Sequence, residues 1–329
     1  MVLRAGLVGL GMMGRNHARV MASTEGVDLV GIADPMGDTK GEIDKDLLCD
    51  SVEELISRGV DLAVVACPTT QHEEVALELC KSGVHTLVEK PLAENFELAE
   101  KMTTAFEEAG LVGAVGHIER FNPAVRNLRR HIYEGDLGDL YQISTHRIGP
   151  FSKRIQDVGV VMDLATHDLD LSAWVGGASF EQVFAKAAYK TGRAHEDLVA
   201  ITGQLTNGIV TNHLVNWVSP MKQRYVMATG EQGSFVADTL LADLIFYKNG
   251  DAPPPWEGIS KFRGVSEGDV IHFAIAKPEP LREEFEGFRN AVLGEEGEIV
   301  SMREGLAAIV AAEAVLRSVN IGSSQMVED

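Results

Sequence analysis

The chain has 329 residues, 45% of them hydrophobic, with 49 acidic against 29 basic side chains and a formal net charge of −20. That length holds two domains with separate cores, and that charge opposes nucleic acid as a partner. No apolar run reaches the roughly 18 residues a membrane span needs, the opening MVLRAGLVGLGMMG lacks the pattern of a signal peptide, and Cys49, Cys67 and Cys80, without CxxC spacing, read as reduced thiols of a cytoplasmic protein.

Strand and helix alternate over the first part of the chain. Residues 3–8 form a short apolar run ending in glycines, and 27–33 read as a second strand. Ser51 with Glu54 makes a capping-box pattern, opening a helix that Gly59 closes. The continuous apolar run VDLAVVA at 60–66 suits a strand buried on both faces. Thr70 with Glu73 repeats the capping box, Gly83 closes that helix, and 84–89, 96–109 and 111–116 read as strand, helix and strand. Repeated βα units predict a parallel, doubly wound sheet. After RFNPAV the texture changes. A helix over 123–134 stops at Gly135, a strand spans 140–147, and a helix covers 161–171. From about residue 180, short strands follow one another between TNG at 206–208, SP at 219–220, TGEQGS at 229–234 and KNGD at 248–251. The Pro-rich stretch 251–258 and helices over 281–293 and 302–318 complete the chain. An α/β fold with a second, largely antiparallel open sheet is expected.

Gly9, Gly11 and Gly14 form GxGxxG between the first strand and the first helix. The first glycine permits the tight turn, the second admits a pyrophosphate, and the third lets helix and strand pack closely. The pyrophosphate then sits on the helix N-terminus, where free N–H groups and the dipole favour an anion. This assigns Met12 and Met13 to the cofactor site as well. Asp34 ends the second strand, twenty residues after Gly14. Its carboxylate accepts from ribose hydroxyls and repels a 2′-phosphate. Pro35 and Met36 follow it with no arginine beside them, so NAD is expected over NADP, although Lys40 is near in sequence.

VEKPLAE, at 88–94, comes at a parallel strand's end. Ligands of open α/β sheets bind beyond the carboxyl ends of strands, which puts Glu89 and Lys90 on the cofactor side. Lys90 carries a charge able to hold a substrate hydroxyl. Further on, the apolar segment VMDLATHDLDL at 161–171 carries three acids and a histidine. On a helix, Asp163 and His167 are four apart and share a face. A solvated helix face is the ordinary reading; a carboxylate–imidazole pair for proton transfer is the sharper one. An imidazole titrating near pH 6.5 suits the acceptance of a hydroxyl proton as hydride leaves. Asp168 and Asp170 read as helix-surface or interdomain polar residues.

Together, GxGxxG, ACPTTQH at 66–72, Glu89-Lys90-Pro91 and Asp163-x-x-x-His167, in this order along the chain, resemble the Gfo/Idh/MocA oxidoreductases. The resemblance implies an NAD-binding Rossmann domain over 1–122. A substrate-binding and oligomerisation domain would cover 123–329, its open sheet mediating a homodimer or homotetramer. Cofactor and substrate would meet between the two. It places Pro68, Thr69, His72 and Glu89 with NAD, and Lys90, Asp163 and His167 around a substrate carbinol. Segments 115–125, 146–170 and 215–224 further resemble the branch containing UDP-N-acetylglucosamine 3-dehydrogenases. The implied reaction is NAD-dependent oxidation of the 3-hydroxyl of a UDP-N-acetylhexosamine to the 3-keto sugar.

The residues themselves are compatible with that substrate. Glu119, Arg120 and Asn122 follow a strand that ends near the strand of Lys90. Arg147 with Lys153 and Arg154, and Lys222 with Arg224, form two basic clusters in an acidic chain, which suggests an anion such as a diphosphate. Pairing with the abundant acids is the alternative. An inositol or simple aldose dehydrogenase is a competing enzyme reading. A non-catalytic dinucleotide-sensing protein is another, against which the full set of Lys90, Asp163 and His167 argues. The spacings of His117, His146 and His167 match no usual metal-ligand pattern, and no metal is expected.

Overall fold

The computed structural model describes residues 2–151, 158–250 and 266–328. Lys153, Arg154 and the Pro-rich stretch 251–258 lie outside them.

In the first part of the chain, buried apolar strands and one-sided helices alternate: β1 (Leu3–Val8), α1 (Met12–Ala22), β2 (Val27–Ala33), β3 (Leu48–Cys49), α2 (Val52–Ser57), β4 (Leu62–Val65), α3 (His72–Lys81), β5 (His85–Glu89), α4 (Phe96–Ala109) and β6 (Gly113–Gly116). The six strands pair in parallel in the order β3-β2-β1-β4-β5-β6. Strand order reverses at β1, and the crevice beyond β1 and β4 is the topological switch point where such sheets bind ligands. Every residue of β4 is buried, as its apolar run requires. The Ser51 hydroxyl accepts from Glu54 N at 3.2 Å and caps α2, while the Glu54 carboxylate reaches back to Asp50 N at 2.7 Å. The pattern at Thr70 and Glu73 makes no cap. A 3₁₀ turn over Thr69–Gln71 takes up Thr70, and α3 starts at His72 without a side-chain cap.

The first core gathers Leu3, Leu7, Leu10, Val20, Met21, Ile32, Leu62, Val64 and Leu87. It also includes Leu281, Phe285 and Phe288 of α7 (Pro280–Leu293). The first compact unit is therefore 1–121 together with 278–310, and the second is 122–277 together with 311–329. A single division after residue 122 misses this return of the chain.

The second unit opens with α5 (Pro123–Tyr133), whose N-cap Asn122 accepts from Ala124 N at 3.0 Å with proline in the first turn. Its strands are β7 (Leu140–Pro150), β8 (Phe180–Ala188), β9 (Leu198–Leu205), β10 (Val210–Asn216), β11 (Val218–Gly230), β12 (Gly233–Asp238), β13 (Asp243–Gly250), β14 (Ser266–Phe273) and β15 (Gln325–Met326). They form a nine-stranded sheet in the order β14-β13-β12-β11-β7-β10-β9-β8-β15. Only the β7–β10 pair is parallel. One face, with Ile143, Ile201, Val215 and Ala228, joins a core shared with α5, α6 (Thr166–Gly176) and the second half of α8 (Met302–Ile321). Phe184, Val210 and Tyr247 remain exposed on the sheet. Among the described residues no helix is long and apolar enough to cross a membrane.

Candidate active site

The glycine turn has the shape an anion-binding loop needs. Gly9 has φ +94°, and a Cβ there would lie 2.6 Å from Cys67 N. A Cβ on Gly14 would meet Gly9 O at 2.0 Å, so only glycine allows α1 to pack this closely. Around Gly11, by contrast, nothing lies within 4 Å of an added Cβ. The open space falls at the N-cap of α1, which no side chain caps, and Met12 beside it is exposed. Asp34 is anchored to the same turn: Leu10 N donates to its Oδ2 at 2.6 Å and Met36 N to its Oδ1 at 2.8 Å. Arg15, next after the third glycine, is bound to Asp38 at 2.7 Å and Glu42 at 3.2 Å. That guanidinium is therefore committed and offers no ready partner for a 2′-phosphate. These residues fit a dinucleotide. Wild-type protein should bind NAD at least about tenfold tighter than NADP, and Asp34→Ala should narrow the gap. Calorimetric dissociation constants check this; a wild type that prefers NADP refutes the reading of Asp34.

Glu89 and Lys90 stand at the end of β5, followed by a cis Lys90–Pro91 peptide. Behind them lies a buried polar cluster within the first unit. His17, on α1, meets Glu89 Oε1 through Nε2 at 2.9 Å, and Lys90 N donates to Glu89 Oε2 at 3.2 Å. Burial pushes the Glu89 carboxyl up, but the hydrogen bond and charge of His17, with Lys90, outweigh it and hold it below its ordinary value. Nearby Glu284, on α7, is buried, and neither carboxyl oxygen has a hydrogen-bond partner among the described residues. Burial first, then the charge of Glu89, raise its carboxyl well above the usual range and so disfavour its charged form. Sequence reasoning missed both His17 and Glu284. His72 bridges the loop after β4 to the turn after β5, with Nε2 3.0 Å from Cys67 O and Nδ1 3.0 Å from Pro91 O. Its neighbours Pro68 and Thr69 flank the 3₁₀ turn before α3.

In the second unit the site segment is not one regular helix. Val161–Ala165 is a π-helical turn that leads into α6, a kind of irregularity that recurs at functional positions. Asp163 lies in the π turn and His167 in the first turn of α6, both buried. Glu196 anchors this start: its Oε1 accepts from Val161 N at 2.9 Å, and its backbone oxygen accepts from Val160 N at 3.0 Å. Asp168 and Asp170 are buried, which rules out the helix-surface alternative of the two expected for them. α6 is apolar or engaged on nearly every side, and Asp168 Oδ1 accepts from Arg147 Nε at 3.0 Å.

That pair also corrects part of the basic-cluster reading. Arg147, on β7, is buried against a carboxylate and has a structural task. Arg120 is likewise paired with Glu304 at 2.5 Å inside the first unit, and Asn122 caps α5 while its Nδ2 donates to Thr239 O at 3.0 Å. Glu119 sits in the 3₁₀ turn Ile118–Phe121, and Lys222 and Arg224 lie on β11. Arg154 lies outside the described residues. Lys90 belongs to the first unit, and Asp163 and His167 to the second.

Known proteins resemble both halves. Residues 3–117 match the model of an oxidoreductase family with an NAD-binding Rossmann fold, and residues 125–236 match the Gfo/Idh/MocA C-terminal domain. The UDP-N-acetylglucosamine 3-dehydrogenase of Acidithiobacillus ferrooxidans is 32% identical over 294 residues, 88% of each chain. A solved structure of the enzyme of that name from the same organism covers 98% of this chain and 99% of its own, with a TM-score of 0.84 at 28% identity. Inositol 2-dehydrogenase 2 of Saccharopolyspora erythraea is 25% identical across 100% of this chain and 96% of its own. The WlbA dehydrogenase from Bordetella pertussis, solved with NADH and UDP-GlcNAcA, shares the fold at 23% identity, with a TM-score of 0.80 and full coverage of both chains. With both domains matched in order on a glycine turn and strand end built for a dinucleotide, this chain belongs to the Gfo/Idh/MocA oxidoreductases, NAD-dependent dehydrogenases of alcohol groups.

Proposed function

We propose that this dehydrogenase oxidises the 3-hydroxyl of a UDP-N-acetylhexosamine to the 3-keto sugar. The observation that carries the reading is the 32% identity, over 88% of both chains, to a protein named for that reaction. The chemistry of the side chains supports it. Oxidising a secondary alcohol removes a proton from oxygen and a hydride from carbon, and the bound nicotinamide supplies the hydride acceptor. Lys90 and His167 share two tasks: holding the developing alkoxide and accepting the hydroxyl proton. Asp163 orients the imidazole or holds a neighbouring hydroxyl. Glu119, Lys222 and Arg224 are the proposed sugar and phosphate contacts.

A second reading, an inositol dehydrogenase, has the full-length 25% relative in its favour. A screen of UDP-sugars, free N-acetylglucosamine and inositols, read as NADH formation, separates the two. UDP-N-acetylglucosamine should exceed free sugar and myo-inositol in kcat/KM by at least about 100-fold, the worth of one or two charge-assisted hydrogen bonds to a diphosphate. An inositol that outperforms every UDP-sugar sinks the proposal. The same reading includes self-association through the open face of the second sheet, supported by the exposed Phe184, Val210 and Tyr247. It also includes a cytoplasmic location, supported by three free cysteines, of which the Cys67 thiol is pushed up to about 11 by burial.

A further inference from the structure

Arginines in this acidic chain commonly meet carboxylates: Arg58 reaches Glu54 at 3.0 Å, Arg147 reaches Asp168 at 3.0 Å and Arg303 reaches Glu107 at 2.6 Å. Arg193, in the loop between β8 and β9, has no carboxylate partner among the described residues. It is nevertheless held in place. Its guanidinium carbon lies 4.8 Å from the ring centre of Phe151 and 4.9 Å from that of Trp217, and its Nη2 donates to Val158 O at 2.9 Å. Its Nη1 is buried and has no hydrogen-bond partner among the described residues.

The loop that carries Arg193 is built to keep this position. Asp197 accepts from Lys190 N at 2.6 Å, Thr191 N at 2.8 Å, Thr191 Oγ1 at 2.7 Å and the indole Nε1 of Trp217 at 2.8 Å. Trp217 is therefore fixed by the same carboxylate that shapes the loop. On the other side, Glu196 holds the backbone of Val160 and Val161 at the start of the π turn. Gly159 fits there because a Cβ would come 2.0 Å from Glu196 Oε1. One short loop thus joins a guanidinium flanked by two aromatic rings to the turn that bears Asp163.

We propose that Arg193 is a substrate-binding residue, taking the diphosphate of a nucleotide sugar. The two rings flank the guanidinium on its apolar side, and its buried, unpartnered Nη1 is an N–H that a phosphate oxygen would satisfy. A cation partly withdrawn from water, with no carboxylate partner among the described residues, is prepared for an anion brought by the substrate. The sequence just before Glu196 and Asp197 is basic as well. Residues 182–195 hold Lys186, Lys190, Arg193 and His195 and no acid, in a chain with 49 acids.

The inference rests on the nucleotide-sugar reading, and UDP itself is the probe that keeps the two apart. By calorimetry, Arg193→Met should weaken UDP binding about 10–100-fold relative to wild type. The KM for UDP-N-acetylglucosamine should rise in step, with kcat within about threefold and the NAD dissociation constant unchanged. Arg193→Lys, which keeps the charge without the planar fork, should fall between. Equal UDP affinity in wild type and Arg193→Met overturns the role of Arg193 and leaves the nucleotide-sugar reading standing. A wild type that binds no UDP and oxidises a neutral sugar overturns both. If thermal melting shows that Arg193→Met does not fold, Arg193→Gln decides: loss of UDP affinity supports the assignment, and retention overturns it.

Discussion

Lys90→Met and His167→Ala should each lower turnover by roughly 10²–10⁴-fold, the usual contribution of a positioned acid–base group. Lys90 ends β5 on the sheet that carries the glycine turn, and His167 lies buried in the first turn of α6 beyond a π-helical irregularity. If they act on one oxygen, holding its charge and removing its proton, the double variant loses much less than the product of the single losses. Asp163→Asn should be milder, since an amide still orients a neighbour by hydrogen bonding. NAD binding should survive in all of them, because Gly9, Gly11, Gly14 and the anchored Asp34 are untouched. Steady-state turnover against pH, with cofactor titrations alongside, is the measurement. Near wild-type turnover and an unchanged pH profile in His167→Ala would remove that residue from the mechanism.

Arg147→Met should destabilise the fold by about 3–5 kcal/mol, the cost of leaving one member of a buried ion pair behind. Both side chains are almost fully buried, at 3% and 2% exposure, with Nε and Oδ1 3.0 Å apart. For a unit the size of 122–277 with 311–329, which carries the pair, the melting temperature should fall by roughly 6–20 °C. The double variant Arg147→Met with Asp168→Leu should recover most of the loss, because apolar groups of similar volume replace buried pairs at little cost. The fraction that stays folded should keep its KM for substrate. A single variant that melts like wild type but raises KM would return Arg147 to the substrate site.

Local patterns made the first unit legible. The glycine spacing, the apolar run of β4 and the carboxylate at the end of β2 each depend on residues near one another in sequence, and each has its place in the fold. What stayed hidden depends on distant partners. The spacing of Leu281, Phe285 and Phe288 announces an amphipathic helix but not which core receives it. Arg147 and Asp168 are 21 residues apart on a strand and a helix, so the arginine reads as free for a ligand until the pair is seen. The π turn carries no sequence signature in its own five residues. Glu284 did leave a trace, since it stands on the buried stripe of α7 beside Phe285. A carboxylate on such a stripe signals an unusual environment, and here it is the neighbourhood of Glu89.

The return of residues 278–310 to the first unit has a consequence for synthesis on the ribosome. The sheet that takes up Phe285 and Phe288 is translated early, but those side chains emerge only after the intervening residues 122–277. Those 156 residues (277 − 121) take about 8–30 s to make at the usual 5–20 residues per second. Throughout that interval the nascent sheet presents an uncovered apolar surface. Chaperone protection at that stage is the expected need, and a message that ends near codon 122 should yield a product prone to aggregate.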